Sequence, residues 1–394
     1  MKNSELKERI PILLLHAVCA VLVMGLAVFV RSQSSSFLKE ENELNEALTD
    51  ESGLPYLTDM DSYYHVRLVN NYLSRGMFGD TVKEDGTVWD LHSFSPEGRN
   101  AEYQPGIIWT TALVHRLTGI SADILEYKLM AFLSAFAALA AYIIVARLTG
   151  VFGGLTAGIA VGCGPQFAIR TCYGRFDTDV FIIVLEVCLI LFMLEALRAK
   201  TRGKKILLIA LFAFSAVLYS LCWMPRYAIL FTGLTIGGGM LYVLFEFCIR
   251  RKTAERKEKG FGPVKQEGMI LAGLAGTVLV SQLLLFGVDL ISGIFSALSF
   301  TNEAAKGSEA YPNLFVSVSE LGKTQFFPKD LSRVLSGYIP EESPSAVNGA
   351  GGLLVVLISF VSLGFLLKLA WPKKDPKKRI PEEAICLFRW KRVL

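Results

Sequence analysis

Two pairs of aspartates are notable in the sequence because a single residue separates the members of each pair. The first pair is Asp59 and Asp61, and the second is Asp177 and Asp179. Carboxylates two residues apart in an irregular loop can both reach one hard cation, since such cations take oxygen ligands. Mg²⁺ is commonly bound by one or two carboxylates together with substrate phosphates. The pattern therefore predicts Mn²⁺ or Mg²⁺ as a cofactor and a phosphate-bearing substrate.

Further side chains are candidates for the same site. Arg170 and Arg175 precede the second pair and are candidate diphosphate ligands, because arginine binds phosphate through two parallel N–H donors. His65 and His92 are candidate metal or diphosphate contacts, with an ordinary hydrogen-bonding role as the alternative for each. Glu320 ends a Ser-Val-Ser-Glu stretch and is the third acidic feature.

An Asp-x-Asp spacing is a weak signal when it is taken alone. An aspartate at the mouth of a helix is commonly solvated or caps the helix, and Asp179 begins an apolar run where capping is a specific alternative. A functional interpretation requires both pairs and Glu320 to lie at one place. The elements that carry these residues decide whether they do.

The composition predicts that these elements are membrane-spanning helices. Apolar residues make up 52% of the 394-residue chain, only 19% are charged, and the mean hydropathy is +0.44. Apolar runs long enough for a helix to cross about 30 Å of hydrocarbon recur along the chain. The predicted spans are residues 10–30, 125–147, 151–169, 179–198, 205–222, 227–249, 268–291 and 350–371. The shorter apolar piece 106–119 is predicted to be an interfacial or re-entrant helix.

The placement of lysine and arginine predicts the orientation of these spans. Basic residues are concentrated in residues 198–205, 250–259 and 373–379. Short cytoplasmic loops are enriched in lysine and arginine, and eight spans with a cytoplasmic N-terminus put all three segments on that side. The outer face then carries two long loops, 31–124 and 292–349. Every acidic feature described above falls on this outer face.

The sequence thus predicts an all-α, polytopic membrane domain over residues 1–371. Residues 372–394 are interpreted as a basic cytoplasmic tail or the start of a further region. A net charge of +4, with its basic clusters at membrane boundaries, argues against a nucleic-acid partner. Seven cysteines without a CxxC pair predict free thiols and neither a disulfide framework nor a zinc site.

Several of these stretches resemble one known family. Residues 59–67, Asp-Met-Asp-Ser-Tyr-Tyr-His-Val-Arg, are similar to the first acidic motif of oligosaccharyltransferase catalytic subunits of the single-subunit bacterial and archaeal type. Residues 170–179 resemble their second motif, including the arginine seven residues before its first aspartate. Residues 317–320 are identical to the Ser-Val-Ser-Glu form of their outer-loop motif, and residues 219–227 resemble a Trp/Pro-bearing outer loop. The resemblance covers roughly residues 10–370.

The resemblance implies a helical bundle of the GT-C glycosyltransferase type in the cell membrane, with its active site on the outer face. The implied reaction is the inverting transfer of an oligosaccharide from a polyprenyl-phosphate or -diphosphate carrier to asparagine in Asn-x-Ser/Thr. It implies that Asp61, Asp177 and Asp179 bind the metal, and that Asp61 and Glu320 hold the acceptor amide. The implied partners are lipid-linked oligosaccharide, an acceptor protein or peptide and membrane lipid, and no nucleic acid.

The sequence departs from the family in one respect that bears on activity. It contains no Trp-Trp-Asp-Tyr-Gly motif, which forms the pocket for the serine or threonine of the acceptor site in family members. We expect the chain alone to bind carrier and metal but to transfer poorly to peptides. The alternatives are another GT-C transferase that uses a lipid-phosphate sugar, an inactive or truncated relative that binds the carrier only, and a transporter. A transporter would have ionisable residues within several spans.

Overall fold

A computed structural model describes residues 3–34, 47–93, 95–101, 105–252 and 262–287 of the chain. Ten helices and three short strands occur in these ranges. The helices are α1 (Asn3–Ser32), α2 (Met60–Arg75), α3 (Gly106–Thr118), α4 (Ala122–Thr149), α5 (Val151–Gly162), α6 (Pro165–Arg170), α7 (Asp179–Arg198), α8 (Arg202–Cys222), α9 (Pro225–Lys252) and α10 (Gly262–Phe286). The strands are β1 (Thr81–Val82), β2 (Val88–Asp90) and β3 (Arg99–Asn100).

Six of the helices are long and apolar enough to cross a membrane: α1, α4, α7, α8, α9 and α10. Their apolar segments run from 20 to 28 residues, which matches the length that a bilayer requires. Large apolar side chains remain exposed on them, as with Val21 at 72% and Leu241 at 69%. Such faces are stable against lipid and unfavourable in water. The predicted all-α, polytopic membrane fold is confirmed, and the eighth predicted span, 350–371, lies outside the described residues.

The predicted span over residues 151–169 is not one continuous helix. The segment is split into α5 and α6, and the chain leaves helical geometry at Cys163 and Gly164. Pro165 explains the break, because it has no backbone N–H and disfavours helical geometry in the residue before it. Gly164 accordingly has an extended ψ of 125°. α5 alone is 12 residues long, which is too short to cross about 30 Å of hydrocarbon.

Helix packing places most of the bundle around one apolar core. This core draws buried side chains from α2, α3, α4, α7, α8, α9 and α10. α1 packs separately against α4 and α5 through small residues such as Ala27, Ala135 and Ala138. Small side chains let membrane helices approach closely, which is how helices without a hydrophobic driving force gain contact in lipid.

The two ends of the bundle differ in charge. Where α4 and α7 end and α8 begins, Glu195 lies 3.7 Å from Arg147, 2.8 Å from Arg198 and 3.4 Å from Lys204. This is the end where the sequence predicts the first basic cytoplasmic loop. Glu195 is therefore neutralised by basic neighbours at the boundary of its helix. A second glutamate of α7, Glu186, accepts a hydrogen bond from the Thr235 hydroxyl within the bundle.

The long loop between α1 and α4 is compact where it is described. It contains α2, a three-stranded antiparallel sheet in the order β1-β2-β3, and α3. The sheet was not predicted from the sequence, because its strands of two or three residues are too short to give an alternating pattern. α3, with 13 residues, agrees with the short helix expected over 106–119. The five cysteines in the described residues, Cys19, Cys163, Cys172, Cys188 and Cys222, are all free thiols, as predicted.

Candidate active site at one end of the bundle

The first acidic motif forms the beginning of α2. Asp59 is the N-cap: its side chain accepts hydrogen bonds from the Ser62 backbone N at 2.9 Å and from the Ser62 hydroxyl at 2.8 Å. An N-cap carboxylate satisfies backbone N–H groups that have no partner inside the helix. The first aspartate of the pair is thus used to start the helix. The second, Asp61, lies in the first turn and is exposed.

The second acidic motif forms the loop between α6 and α7, and Gly174 fixes its path. Gly174 has φ +82°, a left-handed conformation that glycine adopts without steric cost. Its N–H donates to the Tyr127 carbonyl and its carbonyl accepts from Thr58 N, both at 2.9 Å. A Cβ at this position would lie 3.1 Å from the Tyr127 ring. The loop is therefore bonded on one side to the start of α4 and on the other to the residue before the first motif.

Direct bonds join the two motifs. The Phe176 backbone N donates to the Ser62 hydroxyl at 2.9 Å, and both residues are fully buried. Arg175 Nε lies 2.9 Å from Asp59 Oδ2 in an ion pair. Residues more than 100 positions apart in the chain thus share a hydrogen bond and an ion pair, which brings the beginning of α2 against the α6–α7 loop.

Asp177 lies at this junction and faces His65. His65 is 2% exposed, and its Nε2 lies 3.4 Å from Asp177 Oδ1. The same oxygen accepts from Thr178 N at 2.6 Å and from the Thr178 hydroxyl at 3.3 Å. Burial raises the pKa of Asp177, but the bonds from His65 and Thr178 outweigh it, so its pKa is lowered overall. The carboxylate is held ionised, as a metal ligand must be.

Asp179 is the first residue of α7. Thr178 occupies the N-cap position, and Asp179 lies in the first turn, where a negative charge is favoured by the helix dipole. Its Oδ2 lies 3.5 Å from Arg170 Nη1, so the arginine at the end of α6 faces the aspartate at the start of α7. Both side chains are about a third exposed, at 39% and 29%.

The oxygens in this region suit a hard divalent cation. Among the described residues, the polar contacts of Asp177 all involve Oδ1, and Oδ2 has no partner there. Within the same part of the chain, the exposed carboxylate of Asp61 has no hydrogen-bond or ion-pair partner. Carboxylate oxygens that are ionised and not already bonded are the ligands Mg²⁺ takes. The donor types therefore fit the predicted cofactor, but in the described residues Asp61, Asp177 and Asp179 do not form a group whose ligand atoms all lie within 4.8 Å of one another.

His92 lies in a different cluster from His65. Its Nδ1 is 2.9 Å from Asp80 Oδ2, and ligand atoms of Asp80, Asp90 and His92 lie within 4.8 Å of one another. Arg67 already neutralises this group, with Nη2 2.7 Å from Asp90 and Nη1 3.2 Å from Asp80. Burial raises the pKa of Asp90, but hydrogen bonds from Arg67 and Ser93 outweigh burial, so the pKa lies well below its usual range. The arginine gives this cluster a structural role in holding the sheet against α2.

Some residues that hold the site together were not predicted from the sequence. Ser62 lies within the first motif but was given no role, and its hydroxyl bonds both Asp59 and Phe176. Asp80 and Asp90 follow no metal-ligand spacing and could not have been paired with Arg67 from the sequence. Glu320 lies outside the described residues. Its predicted role, and those of the other site residues, stay predictions.

Comparison with known proteins identifies the family. Residues 15–364 match the family model for "Oligosaccharyl transferase STT3, N-terminal". Two archaeal relatives are both named dolichyl-phosphooligosaccharide-protein glycotransferase. The protein of Methanocaldococcus jannaschii is 26% identical over 210 residues, which cover 51% of this chain and 22% of the relative. The protein of Methanococcus voltae is 27% identical over 328 residues, 76% of this chain and 35% of the relative.

The fold is similar to that of a solved archaeal structure. The oligosaccharyltransferase of Archaeoglobus fulgidus in its apo form aligns with a TM-score of 0.50 at 14% identity, over 94% of this chain and 46% of that one. At this identity the likeness concerns the fold, a polytopic helical bundle of the GT-C type. The chain spans less than half the length of each of these three proteins. Since the family model matches 350 of its 394 residues (15 to 364), the chain belongs to the oligosaccharyl transferase STT3 family.

Proposed function

We propose that this chain carries the metal and lipid-carrier half of an oligosaccharyltransferase that glycosylates asparagine in Asn-x-Ser/Thr. The observation that carries the proposal is the junction of the two acidic motifs, where Ser62 bonds Phe176 at 2.9 Å and His65 faces Asp177 at 3.4 Å. A single site needs both motifs at one place. Family membership supports the same reaction.

Asp61, Asp177 and Asp179 would hold the divalent cation on the outer face of the membrane. When bound, the cation would stabilise the negative charge that develops on the leaving phosphate oxygen. Mn²⁺ or Mg²⁺ fits a site in which all three proposed ligands are carboxylates. The basic cluster around Glu195 at the far end of α7 supports the orientation, because basic residues favour the cytoplasmic side.

Asp61 and Glu320 would accept hydrogen bonds from the two N–H groups of the acceptor amide. An amide nitrogen is a poor nucleophile because its lone pair is delocalised into the carbonyl group. Two carboxylates that bind its two hydrogens favour rotation about the C–N bond, which frees the lone pair. The exposed position of Asp61 in the first turn of α2 is compatible with access by a peptide. Attack from the face opposite the leaving diphosphate inverts the anomeric carbon.

Arg170 is the better placed of the two arginines to bind the diphosphate. Its side chain is 39% exposed and its Nη1 is 3.5 Å from Asp179 Oδ2, so it lies beside a proposed metal ligand. The Arg175 side chain is only 18% exposed, and its Nε pairs with Asp59. We infer that Arg175 chiefly holds the two motifs together while Arg170 contacts the carrier.

An in-vitro transfer assay tests this function. Purified protein is incubated with lipid-linked oligosaccharide and a fluorescent Asn-x-Thr peptide, with and without Mn²⁺. We expect slow, Mn²⁺-dependent glycopeptide formation that is abolished in Asp61→Ala, Asp177→Ala and Glu320→Ala. Asp85→Ala, in the exposed β1–β2 turn, is the matched control and should retain wild-type activity.

The acceptor peptide distinguishes N-glycosylation from the nearest alternative. A peptide with glutamine in place of asparagine should give no product with a true oligosaccharyltransferase. Transfer to a serine or threonine hydroxyl of that peptide would instead identify another GT-C transferase. Transfer that persists in a chelator, or in Asp177→Ala, would contradict the proposed role of the metal site.

A further inference from the structure

Arg31, at the end of α1, is an unusual residue for its position. It is fully buried, at 0% exposure, and is the largest side chain in the described residues to be so completely enclosed. Removing a guanidinium from water costs several kcal/mol unless hydrogen bonds compensate for the lost solvation. Basic residues near helix ends usually extend their charge to the interface instead. The burial of Arg31 therefore requires specific partners.

Those partners belong to α1 itself and to three other elements. Arg31 Nε donates to the Thr171 hydroxyl at 2.7 Å. Its Nη1 donates to the Ala27 carbonyl at 2.8 Å and also to the Gly162 carbonyl. Its guanidinium carbon lies 4.7 Å from the centre of the Phe167 ring, in cation–π geometry. One side chain thus joins α1, the end of α5, α6 and Thr171. Thr171 is the first residue of the loop between α6 and α7, residues 171–178, which we call the acidic loop.

The break between α5 and α6 explains why a cation is needed there. The last carbonyls of a helix have no partner inside the helix, and within lipid no water is available to satisfy them. Gly162 is the last residue of α5, and Arg31 supplies a donor to its carbonyl. A positive charge at a helix C-terminus is also favoured by the helix dipole.

The backbone of Arg31 fixes the next residues of the loop. Its carbonyl accepts from Tyr173 N at 3.2 Å, and the Ser34 hydroxyl donates to the Tyr173 carbonyl at 3.0 Å. The acidic loop therefore leaves α6 with its first and third residues, Thr171 and Tyr173, bonded to the end of α1. Asp177 and Asp179 follow four and six residues after Tyr173.

We propose that Arg31 is a positioning residue for the metal site, because it bonds Thr171 and so holds the loop in the form in which Asp177 and Asp179 face one ion. This inference rests on the proposed function of the aspartates. Arg31 contacts neither carboxylate and is not a catalytic residue. It acts through Thr171 and the loop backbone, in the way that outer partners orient metal ligands.

Mn²⁺ titration followed by electron paramagnetic resonance tests the proposal without measuring activity, since the signal of free aqueous Mn²⁺ falls as the ion binds. Arg31→Gln and Thr171→Val should each weaken Mn²⁺ binding by about ten-fold or more, the range found when outer partners of metal ligands are removed. The double variant should be no weaker than Arg31→Gln alone, because both substitutions remove the same bond. Arg31→Lys should bind with intermediate affinity, since an ammonium can reach one acceptor but lacks the planar fork.

Two controls separate positioning from general stability. Thr171→Ser keeps the hydroxyl and should bind Mn²⁺ like wild type. If Arg31→Gln does not fold, the comparison of Thr171→Val with Thr171→Ser still tests the proposal. Arg198→Gln removes a partly buried arginine from the opposite end of the bundle, 2.8 Å from Glu195, and should leave Mn²⁺ affinity unchanged. Binding is measured well below the unfolding temperature of each variant.

The outcomes distinguish this inference from the proposed function. If wild type binds Mn²⁺ and Asp177→Asn does not, the metal site stands. Unchanged affinity in both folded Arg31→Gln and Thr171→Val would then overturn the role of Arg31 alone. If wild type binds no Mn²⁺, or Asp177→Asn binds it equally well, the proposed metal site fails and the inference fails with it.

Discussion

At the scale of single residues, the environment of each carboxylate decides its role. Asp59 and Asp61 are two positions apart, yet one caps a helix and pairs with Arg175 while the other is exposed. Asp177 has His65 and Thr178 on one oxygen, which leaves the second oxygen for a ligand. Chemical type and spacing predicted that the two motifs meet, while the sharing of one ion by Asp61, Asp177 and Asp179 stays a prediction. They could not predict which aspartate starts the helix, because that depends on the local backbone geometry of α2.

Asp90 gives a prediction about pH at this scale. Its pKa in the folded protein lies below the value of about 3.9 expected in an unfolded chain. A carboxyl group whose pKa is lowered by folding stabilises the fold. This contribution is complete at pH values above the pKa of the unfolded chain and is lost as the pH falls toward the pKa of the folded protein. Asp90→Asn should therefore lower the melting temperature at pH 7, and the difference from wild type should shrink at pH 3. Thermal unfolding in detergent measures both, and a difference that stays constant or grows toward acid would contradict the assignment.

At the scale of elements, close approach between helix ends holds the first outer loop on the bundle. Gly106 begins α3 directly against Cys222 at the end of α8, and a Cβ there would overlap Cys222 Sγ and lie 2.7 Å from its Cα. Six long apolar helices could be predicted from hydropathy alone. The split of residues 151–169 could have been predicted from Gly164-Pro165, since proline disfavours helix in the residue before it. The contact of α3 with α8 could not, because nothing in either segment specifies its partner.

Alanine at position 106 tests this contact. Gly106→Ala should destabilise the protein by about 1–3 kcal/mol, the usual cost of forcing an extra group into a packed site. Gly237→Ala is the matched control, because no described atom lies within 4 Å of a Cβ at Gly237 in the middle of α9. That substitution should leave the melting temperature unchanged or raise it, since alanine is the better helix former. Equal effects of the two substitutions in thermal unfolding would show that the contact has been misassigned.

At the scale of the whole molecule, the two ends of the helical bundle differ in their charged residues, which supports the predicted orientation of the bundle in the membrane. The basic cluster around Glu195 lies at the end where α7 finishes, and the acidic loop lies where α7 begins. A helix of 20 residues is about 30 Å long, so the two clusters belong to opposite surfaces of the membrane. Loop charge predicts which end of the bundle is cytoplasmic, and the outer-face position of the acidic loop stays a prediction. The sequence alone could not predict the three-dimensional junction of α2 with the α6–α7 loop.

Cysteine labelling tests the orientation. With native cysteines replaced by serine, Asp85→Cys in the β1–β2 turn should react with a membrane-impermeant maleimide added to intact cells. Lys204→Cys, which is exposed at the start of α8, should react only after the membrane is opened. Labelling of both positions from the same side would contradict the proposed topology.

The proposed function depends most on Asp61 and Asp177 sharing one divalent ion. Anomalous X-ray diffraction from crystals of the protein grown with Mn²⁺ measures this directly, because it locates the ion without reference to any assumed role. We predict one strong peak bonded by carboxylate oxygens of Asp61 and Asp177, with Asp179 beside it. A peak held instead by Asp80, Asp90 and His92, or Mn²⁺ bound to Asp177 with Asp61 remote from it, would contradict the proposed function.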